Sequence, residues 1–585
     1  MTIPLPPFAW APRYRIVLAL ALLLTTWGTR AQAPAWQTAV ALSPNSGYAS
    51  VLTSATDAAG HVYLGGVFSG TVTLGTTTLS SVAGSLDMFV TKWDVATGQF
   101  VWAQAAGGPE ADYVRTLAVS GANVYVGGTY RLAAAFGPAA LASGGAFNSL
   151  FVAKLVDAGA TAAFVWAQQP AAATSSNAAY ALAVNGSNVY MGGSFFGPGT
   201  VQLGATTLTN ASTSLNGTSS PPDGYVAKLV DAGPTAAFAW AQSAGGTGND
   251  NCNGLAVVGA NVYATGTFEG TAAFGTTRLA SAGGTDAYVA KFTDEGATGR
   301  LTWAQRAGGP GAETAPAIAA NGASVYIAGA FTSAAAGFGD AQLLNAGGAD
   351  AYVAKLTDAG PTAAFAWAQA AGGPTDEGAT GLAVVGTNVY VDGFFRGAAT
   401  AVGNTPLANA DPTGATNDLF VAKLRDTGPT SRFDWAQRAG GPGTENLSTL
   451  AAAGATVYVS GVFAPPAAFG PVTLTNTVGP SSGFVAALVD NVVLANAPPV
   501  SAGPGTLYPN PARTAATLRW PAGTGRGPAR VSVTDALGRL VWVQTVDVSA
   551  AGLVQEIDLT GLRPGGYLVR VQTAAAKSVH HLTVE

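Results

Sequence analysis

A chain of 585 residues with 48% hydrophobic residues, only 10% charged residues and 77 glycines suits many short strands joined by tight turns better than charged amphipathic helices. A formal charge of -5 and a pI near 5.3 supply no basic field for phosphate backbones, which argues against nucleic acid and against an anionic membrane surface as partners. The single cysteine, Cys252, excludes an intrachain disulfide and a thiolate metal cluster, and reads as an inert small residue in a loop or core.

Residues 1–33 read as a signal peptide. Arg13 and Arg15 precede the apolar run from Ile16 to Leu24, and small residues follow at Ala31 and Ala33, either of which can mark the cleavage site. The run is far shorter than the roughly 20 residues a membrane-spanning helix needs. No later segment offers a span.

From residue 34 to 490 one unit recurs seven times, recognised by four markers in fixed order. The first is a Trp-centred strand at Trp36, Trp102, Trp166, Trp240, Trp303, Trp367 and Trp435. The second is an apolar stretch such as Leu117-Ala118-Val119, then a turn and Val-Tyr, with the Tyr at 63, 125, 190, 263, 326, 390 and 458. An aromatic stands five residues after each Tyr, from Phe68 to Phe463, which suggests packing between units. The third, as in Phe274-Gly275 to Leu279 and Phe469-Gly470 to Leu474, predicts a small extra hairpin.

The fourth marker is Tyr/Phe-Val-Ala-Lys, at Tyr225, Tyr288, Tyr352 and Phe420, with variants at Phe89, Phe151 and Phe484. Two residues before each lies Asp87, Ser149, Asp223, Asp286, Asp350, Asp418 or Ser482, side chains suited to bond loop amides where a strand begins. Four β-favouring strands per unit, radially repeated, predict a seven-bladed β-propeller. Trp36 precedes the first complete unit and no Trp strand follows the last, so the Trp36 strand is expected to complete the seventh blade and close the ring. The markers Gly-Leu-Ala-Val, Asn-Val-Tyr-Val, Asp-Ala-Tyr-Val-Ala-Lys and Trp-Ala-Gln resemble the bacterial seven-bladed β-propeller repeats of secreted proteins, a resemblance that implies fold and compartment but no reaction.

Residues 491–506, rich in Ala, Pro and Gly, read as a linker. Beyond it, 507–585 alternates apolar residues in short strands around Val531 to Asp535, Val541 to Val543, Ile557 to Leu559, Tyr567 to Val571 and His581 to Val584, which predicts a small Ig-like β-sandwich. Its motifs, Tyr508-Pro509-Asn510-Pro511, Asp535 with Gly538-Arg539, and Gly566-Tyr567, closely resemble the type A C-terminal sorting domain of the type IX secretion system. That resemblance implies contact with the type IX machinery, export across the outer membrane of a Gram-negative bacterium, and release or attachment at its surface.

Candidate chemistry is sparse. His61 takes the turn position held by Asn123, Asn188, Asn261 or Asn388 in other units, while His580 and His581 lie in the sorting module, so no His-based triad or zinc site is expected. Gly107-Gly108-Pro109 and Gly372-Gly373-Pro374 lack the Lys-Ser/Thr and helix of a phosphate loop, and no cofactor is implied. Acids recur in the loop after the Trp strand: Glu110, Asp112, Asp250, Glu313, Asp376, Glu377 and Glu445. They read as solvated turn residues, or as an acidic rim sharing one face with the variable segments 200–222 and 408–417.

These features predict a secreted, non-catalytic interaction or adhesion module for a glycan or matrix ligand. The alternatives are a polysaccharide hydrolase or lyase acting through rim carboxylates, a calcium site on those acids, and a passive structural surface protein.

Overall fold

The computed structural model describes residues 34–490, apart from 43, 58, 146, 198, 213–219 and 476–477, and residues 506–585, apart from 521–526, 536–539, 550–551 and 573–576. The expected signal peptide, nearly all of the linker, and Gly538 and Arg539 lie outside the described residues. The chain is all-β, with no helix among the described residues. Accordingly, no described helix is long and apolar enough to cross a membrane. Two compact units divide after Asn491.

In the larger unit the four marker strands form antiparallel sheets in chain order. Tyr113–Ser120 pairs with Asn123–Arg131, that strand with Asn148–Asp157, and that one with Ala162–Gln168. The two middle strands are buried almost end to end, because each sheet is covered on both faces by its neighbours. The third marker forms the expected extra hairpin, as in Ala133–Phe136 with Ala139–Ala142. Its glycine turns the chain at φ 57° at Gly137 and Gly275, a left-handed conformation that a Cβ disfavours.

The first strands of the seven units are Pro44–Thr56, Tyr113–Ser120, Asn177–Asn185, Asn251–Val258, Ala317–Asn321, Glu377–Val385 and Asn446–Ala453. Each neighbours the next, and the last neighbours the first. The Thr116 Oγ1 accepts the Leu182 amide at 2.9 Å, and the Ser54 hydroxyl donates to Thr449 Oγ1 at 3.4 Å across the join of first and last sheets.

Consecutive sheets are fastened by a polar cluster that register explains. Tyr125, Lys154 and Trp166 stand side by side on three paired strands. All three reach Asp231 of the following sheet: Lys154 Nζ at 2.6 Å and the Tyr125 hydroxyl at 2.7 Å donate to Oδ2, and Trp166 Nε1 at 3.1 Å donates to Oδ1. The ion pair recurs as Lys92–Asp157, Lys228–Asp294, Lys291–Asp358, Lys355–Asp426 and Lys423–Asp490. Burial opposes the charge on Asp231, but hydrogen bonds from Lys154 and Tyr125, the Gly233 amide and Trp166 outweigh it and hold the carboxyl below its usual range. Removing one partner of such a buried pair costs about 3–5 kcal/mol.

The seventh boundary is built differently. Trp36–Leu42 pairs with Ser482–Val489, so the amino-terminal strand does complete the last sheet. Its register, however, sets Thr38 opposite Ala487 and Trp36 opposite Leu488, whereas Trp166 lies opposite Lys154 and Phe164 opposite Leu155. Trp36 therefore occupies the Phe164 position, not that of the other six marker tryptophans, and meets Phe469 edge-on at 5.2 Å as Phe164 meets Phe136 at 5.6 Å. Both positions take an aromatic, so a lone Trp in sequence does not reveal which one it fills. Ala487 replaces the lysine, Thr38 the tryptophan, and Val95, two residues past Trp93, replaces the aspartate found two past Leu155.

The carboxy-terminal unit has two sheets, one of Thr506–Tyr508, Ala515–Trp520 and Leu553–Asp558, the other of Leu540–Val548, Gly527–Asp535, Gly565–Gln572 and Lys577–Val584. Leu518, Val531, Val533, Ile557, Val569 and Leu582, each at most 1% exposed, share one core between them. Thr506, expected in the linker, belongs to the first strand.

Candidate functional site

An exposed acidic rim is not what the fold builds. Asp376 is exposed and Glu110 half-buried, but Asp112, Asp250, Glu313, Glu377 and Glu445 are at most 1% exposed. Their carboxylates hold backbone amides: Arg131 on Asp112 at 3.0 Å, Gly246 on Asp250 at 2.6 Å, Gly309 on Glu313 at 2.7 Å, Gly373 on Glu377 at 2.6 Å and Gly441 on Glu445 at 2.9 Å. Local sequence misled because each acid is covered by a strand brought alongside from elsewhere: Glu377 lies opposite Phe395 and Glu313 opposite Phe331.

Each also faces the aspartate that begins the Val-Ala-Lys strand of the preceding sheet. Asp87, Asp223, Asp286, Asp350 and Asp418 bond the loop amides of Val82, Ala211, Ala282, Ala346 and Ala410, as their recurrence predicted. Burial, together with repulsion from this neighbouring aspartate, pushes the carboxyls of Asp112, Asp250 and Glu377 up to about 7 and that of Glu445 to about 8. Glu313 is raised by the same causes. A proton on one member of such a pair turns a meeting of two acceptors into a hydrogen bond.

A Cβ at Gly308 would stand 2.4 Å from Asp286 Oδ1 and 2.5 Å from Glu313 Oε2, so only glycine leaves room for both. Where Ser149 or Ser482 replaces the strand-start acid, the facing residue is Asn177 or Ala49. Acids thus come and go in pairs, as a structural motif would.

The more distinctive site is the cavity of about 250 Å³ along the axis of the seven first strands, where each unit contributes three consecutive residues to its wall. Six of these strands carry a β-bulge whose extra residue is Leu52, Arg115, Tyr180, Asn253, Thr380 or Ser448. Pro316 contributes at the same place in Ala317–Asn321's sheet. A bulge re-aims a side chain, and here it sets one on the cavity wall from each of these six strands. Two residues on, the wall repeats as Ser54, Leu117, Leu182, Leu255, Ile318, Leu382 and Leu450. At this place the seven units carry seven different residues, six on bulges and Pro316 without one.

Two further features are confined to this ring. The exposed Arg115 guanidinium lies over Tyr113 at 5.1 Å and over Tyr180 at 5.9 Å, with no described carboxylate paired to it. Thr380 donates at 3.0 Å to Asp392, which is fully buried where the other units have Gly65, Gly127, Gly192, Thr265, Ala328 or Ser460. Burial pushes the Asp392 carboxyl up to about 7, and its Oδ2 has no hydrogen-bond partner. Neither Arg115 nor Asp392 stands out in the sequence, because neither recurs between the units.

The remaining expectations are placed as follows. Cys252 is fully buried in the core, which pushes its thiol up to about 12. His61 sits at its turn, with Nδ1 2.7 Å from Asp57 Oδ2. Among the described residues no group of three or more His, Cys, Asp or Glu could hold a metal ion. Within the variable segment 200–222, residues 213–219 lie outside the described residues. In 408–417 the Asp411 carboxylate organises an exposed turn through the Thr413 and Ala415 amides, each at 3.0 Å.

In the carboxy-terminal unit the motif residues converge on strand ends. The Asn510 amide donates to the His581 carbonyl at 2.6 Å and its Oδ1 accepts the Thr583 amide at 2.8 Å, so the Tyr-Pro-Asn-Pro segment clamps the last strand. Asp535 and Tyr567 are register partners, Gly566 faces Thr583, and the Tyr567 hydroxyl donates to the Arg563 carbonyl at 2.7 Å. Tyr508 is half exposed.

Comparison with known proteins bears on the two units unequally. Solved structures similar to the chain include the quinohemoprotein alcohol dehydrogenase of Comamonas testosteroni, 12% identical over 79% of this chain and 77% of that one, with a TM-score of 0.33. Another is a mutant Trypanosoma rangeli sialidase displaying trans-sialidase activity, 10% identical over 81% of this chain and 83% of that one, at a TM-score of 0.30. At these scores neither likeness bears on what this chain does. The comparison with curated proteins found none similar to it. Residues 506–585 match the family of the secretion system C-terminal sorting domain. The carboxy-terminal unit is therefore a sorting domain of the type IX secretion system, which implies contact with that machinery and marks the chain for export to the cell surface or extracellular space of a bacterium.

Proposed function

We propose that this exported chain is a non-catalytic interaction module: a seven-bladed β-propeller that holds an extracellular glycan or matrix ligand in its axial cavity, followed by an Ig-like sorting sandwich. The signal peptide at 1–33 would begin its export. The observation that carries the reading is the bulge ring, where seven units alike in strand, turn and fastening residues present seven different side chains to one cavity. Repetition serves the scaffold, and its breakdown at one inward-facing position marks the place where a ligand is recognised.

The interaction reading is preferred to the hydrolase alternative because five of the seven rim acids are buried and accept backbone amides. A panel of glycans and matrix proteins tests the proposal. Saturable binding by the full chain, weakened at least tenfold by Tyr180→Ala, is the expected result; a panel with no binder, or binding indifferent to the ring, would overturn it.

A further inference from the structure

Resting on that reading, the ring also indicates what kind of ligand it takes. Among the described residues, Arg115 is the single charged side chain on the cavity wall. In a chain with more acids than bases it has no carboxylate partner among the described residues, its guanidinium planted against two tyrosine rings instead. Stacking on aromatic faces orients a guanidinium while leaving its N–H fork free, and that fork matches a carboxylate with two parallel hydrogen bonds.

The other ring members are short and polar. Asn253 offers both a donor and an acceptor, Ser448 a hydroxyl, and Thr380 a hydroxyl whose proton is directed to Asp392. With its proton so engaged, Thr380 presents lone pairs to the cavity and favours a ligand that donates. Arg115 and Thr380 stand on the second and sixth of the seven strands, and so on different sides of the cavity. A volume of about 250 Å³ is below the roughly 300–1,000 Å³ of drug-sized sites, enough for a single small polar ring.

We propose that the axial cavity binds a hydroxylated carboxylate of about the size of one sugar ring, such as a uronic acid, with its carboxylate on the Arg115 guanidinium and its hydroxyls on Asn253, Thr380 and Ser448. The acid is either free or the end of an acidic polysaccharide, and both present the same chemistry to the ring.

Calorimetric titration of the full chain with sodium glucuronate, glucose and a glucuronate-terminated oligosaccharide tests this. Glucuronate should bind one to one and at least tenfold more tightly than glucose, the preference disappearing in Arg115→Ala. Asp392→Asn should weaken glucuronate several-fold without abolishing the charge preference. Tighter binding of the oligosaccharide identifies the polysaccharide end as the ligand, and equal binding identifies the free acid. Glucose binding as tightly as glucuronate, or an unchanged preference in Arg115→Ala with a normal thermal melt, overturns the assignment. If none of the three binds while the broader panel yields a ring-dependent ligand, the carboxylate inference falls and the interaction module stands; if neither yields binding, both fall.

Discussion

Trp93 meets Tyr458 edge-on, with ring centroids 6.4 Å apart, at the boundary where the last sheet joins the first. The other six boundaries place a lysine–aspartate pair between neighbouring sheets, and this one has aromatic packing, with the Tyr458 hydroxyl donating to the Gly60 carbonyl instead. The join of the first and last sheets thus carries the same tyrosine in a different, largely apolar setting.

The two kinds of boundary should respond differently to truncation and acid. Asp294→Ala leaves Lys228, Tyr190 and Trp240 without their shared acceptor and is expected to cost about 3–5 kcal/mol. Trp93→Ala should cost a similar ~3–5 kcal/mol through lost packing. Only the first variant should reduce the loss of stability below about pH 4, because the Asp294 carboxyl is held below its usual range and its contribution disappears as acid protonates it. Urea denaturation of both variants across acid pH checks the contrast.

The buried acid pairs predict the opposite dependence at higher pH. Asp112, Asp250, Glu377 and Glu445 have folded values of about 7 to 8, above their ordinary 3.8 or 4.5, so the native chain retains protons that the unfolded chain releases. Their stabilising contribution is full below the unfolded values and is lost as pH rises through 7 to 8. The urea midpoint should therefore be higher at about pH 5.5 than at about pH 8.5, and Glu445→Gln should flatten the slope.

Room for two carboxyls should make glycine obligatory beside a pair and dispensable elsewhere. Gly308→Ala drives a Cβ into both Asp286 and Glu313 at a φ of 150° and is expected to cost at least ~1–3 kcal/mol. The matching residue beside Ser149 and Asn177 is Ala171, whose amide bonds the Gln202 carbonyl as that of Gly308 bonds Gly337. Ala171→Gly should cost no more than about 0.5–1 kcal/mol. Thermal unfolding of the two variants measures the difference.

In the sorting domain, Asn510→Ala removes both side-chain bonds to the final strand, at about 1–3 kcal/mol. Amide exchange of residues 577–584 should accelerate, and the exported yield should fall with it. Deleting 506–585 should abolish appearance outside the cell.

What was readable in the sequence was what repeats. Val-Tyr, Val-Ala-Lys and Trp-Ala-Gln gave strands in their correct order, and the orphan Trp36 strand revealed its place in the last sheet. The register of Trp36 was not readable, because Phe and Trp positions two residues apart both accept an aromatic. Nor was the Asp231 fastening, since Asp231 stands 77 residues from Lys154 and only the meeting of sheets unites them. The acids looked exposed because their loops are rich in glycine and polar residues, and the strand that buries each one is contributed by another part of the chain. The bulge ring was hidden for another reason: Arg115, Tyr180 and Asn253 share nothing in sequence, so no repeat marks them.

The most direct test is hydrogen exchange of the full chain with and without a saturating ligand from the binding panel. The proposed site predicts protection that appears together in the first strands around Arg115, Tyr180, Asn253, Thr380 and Ser448. Protection confined to segments away from the cavity wall, such as 200–212 and 408–417, with these strands unchanged, would contradict it.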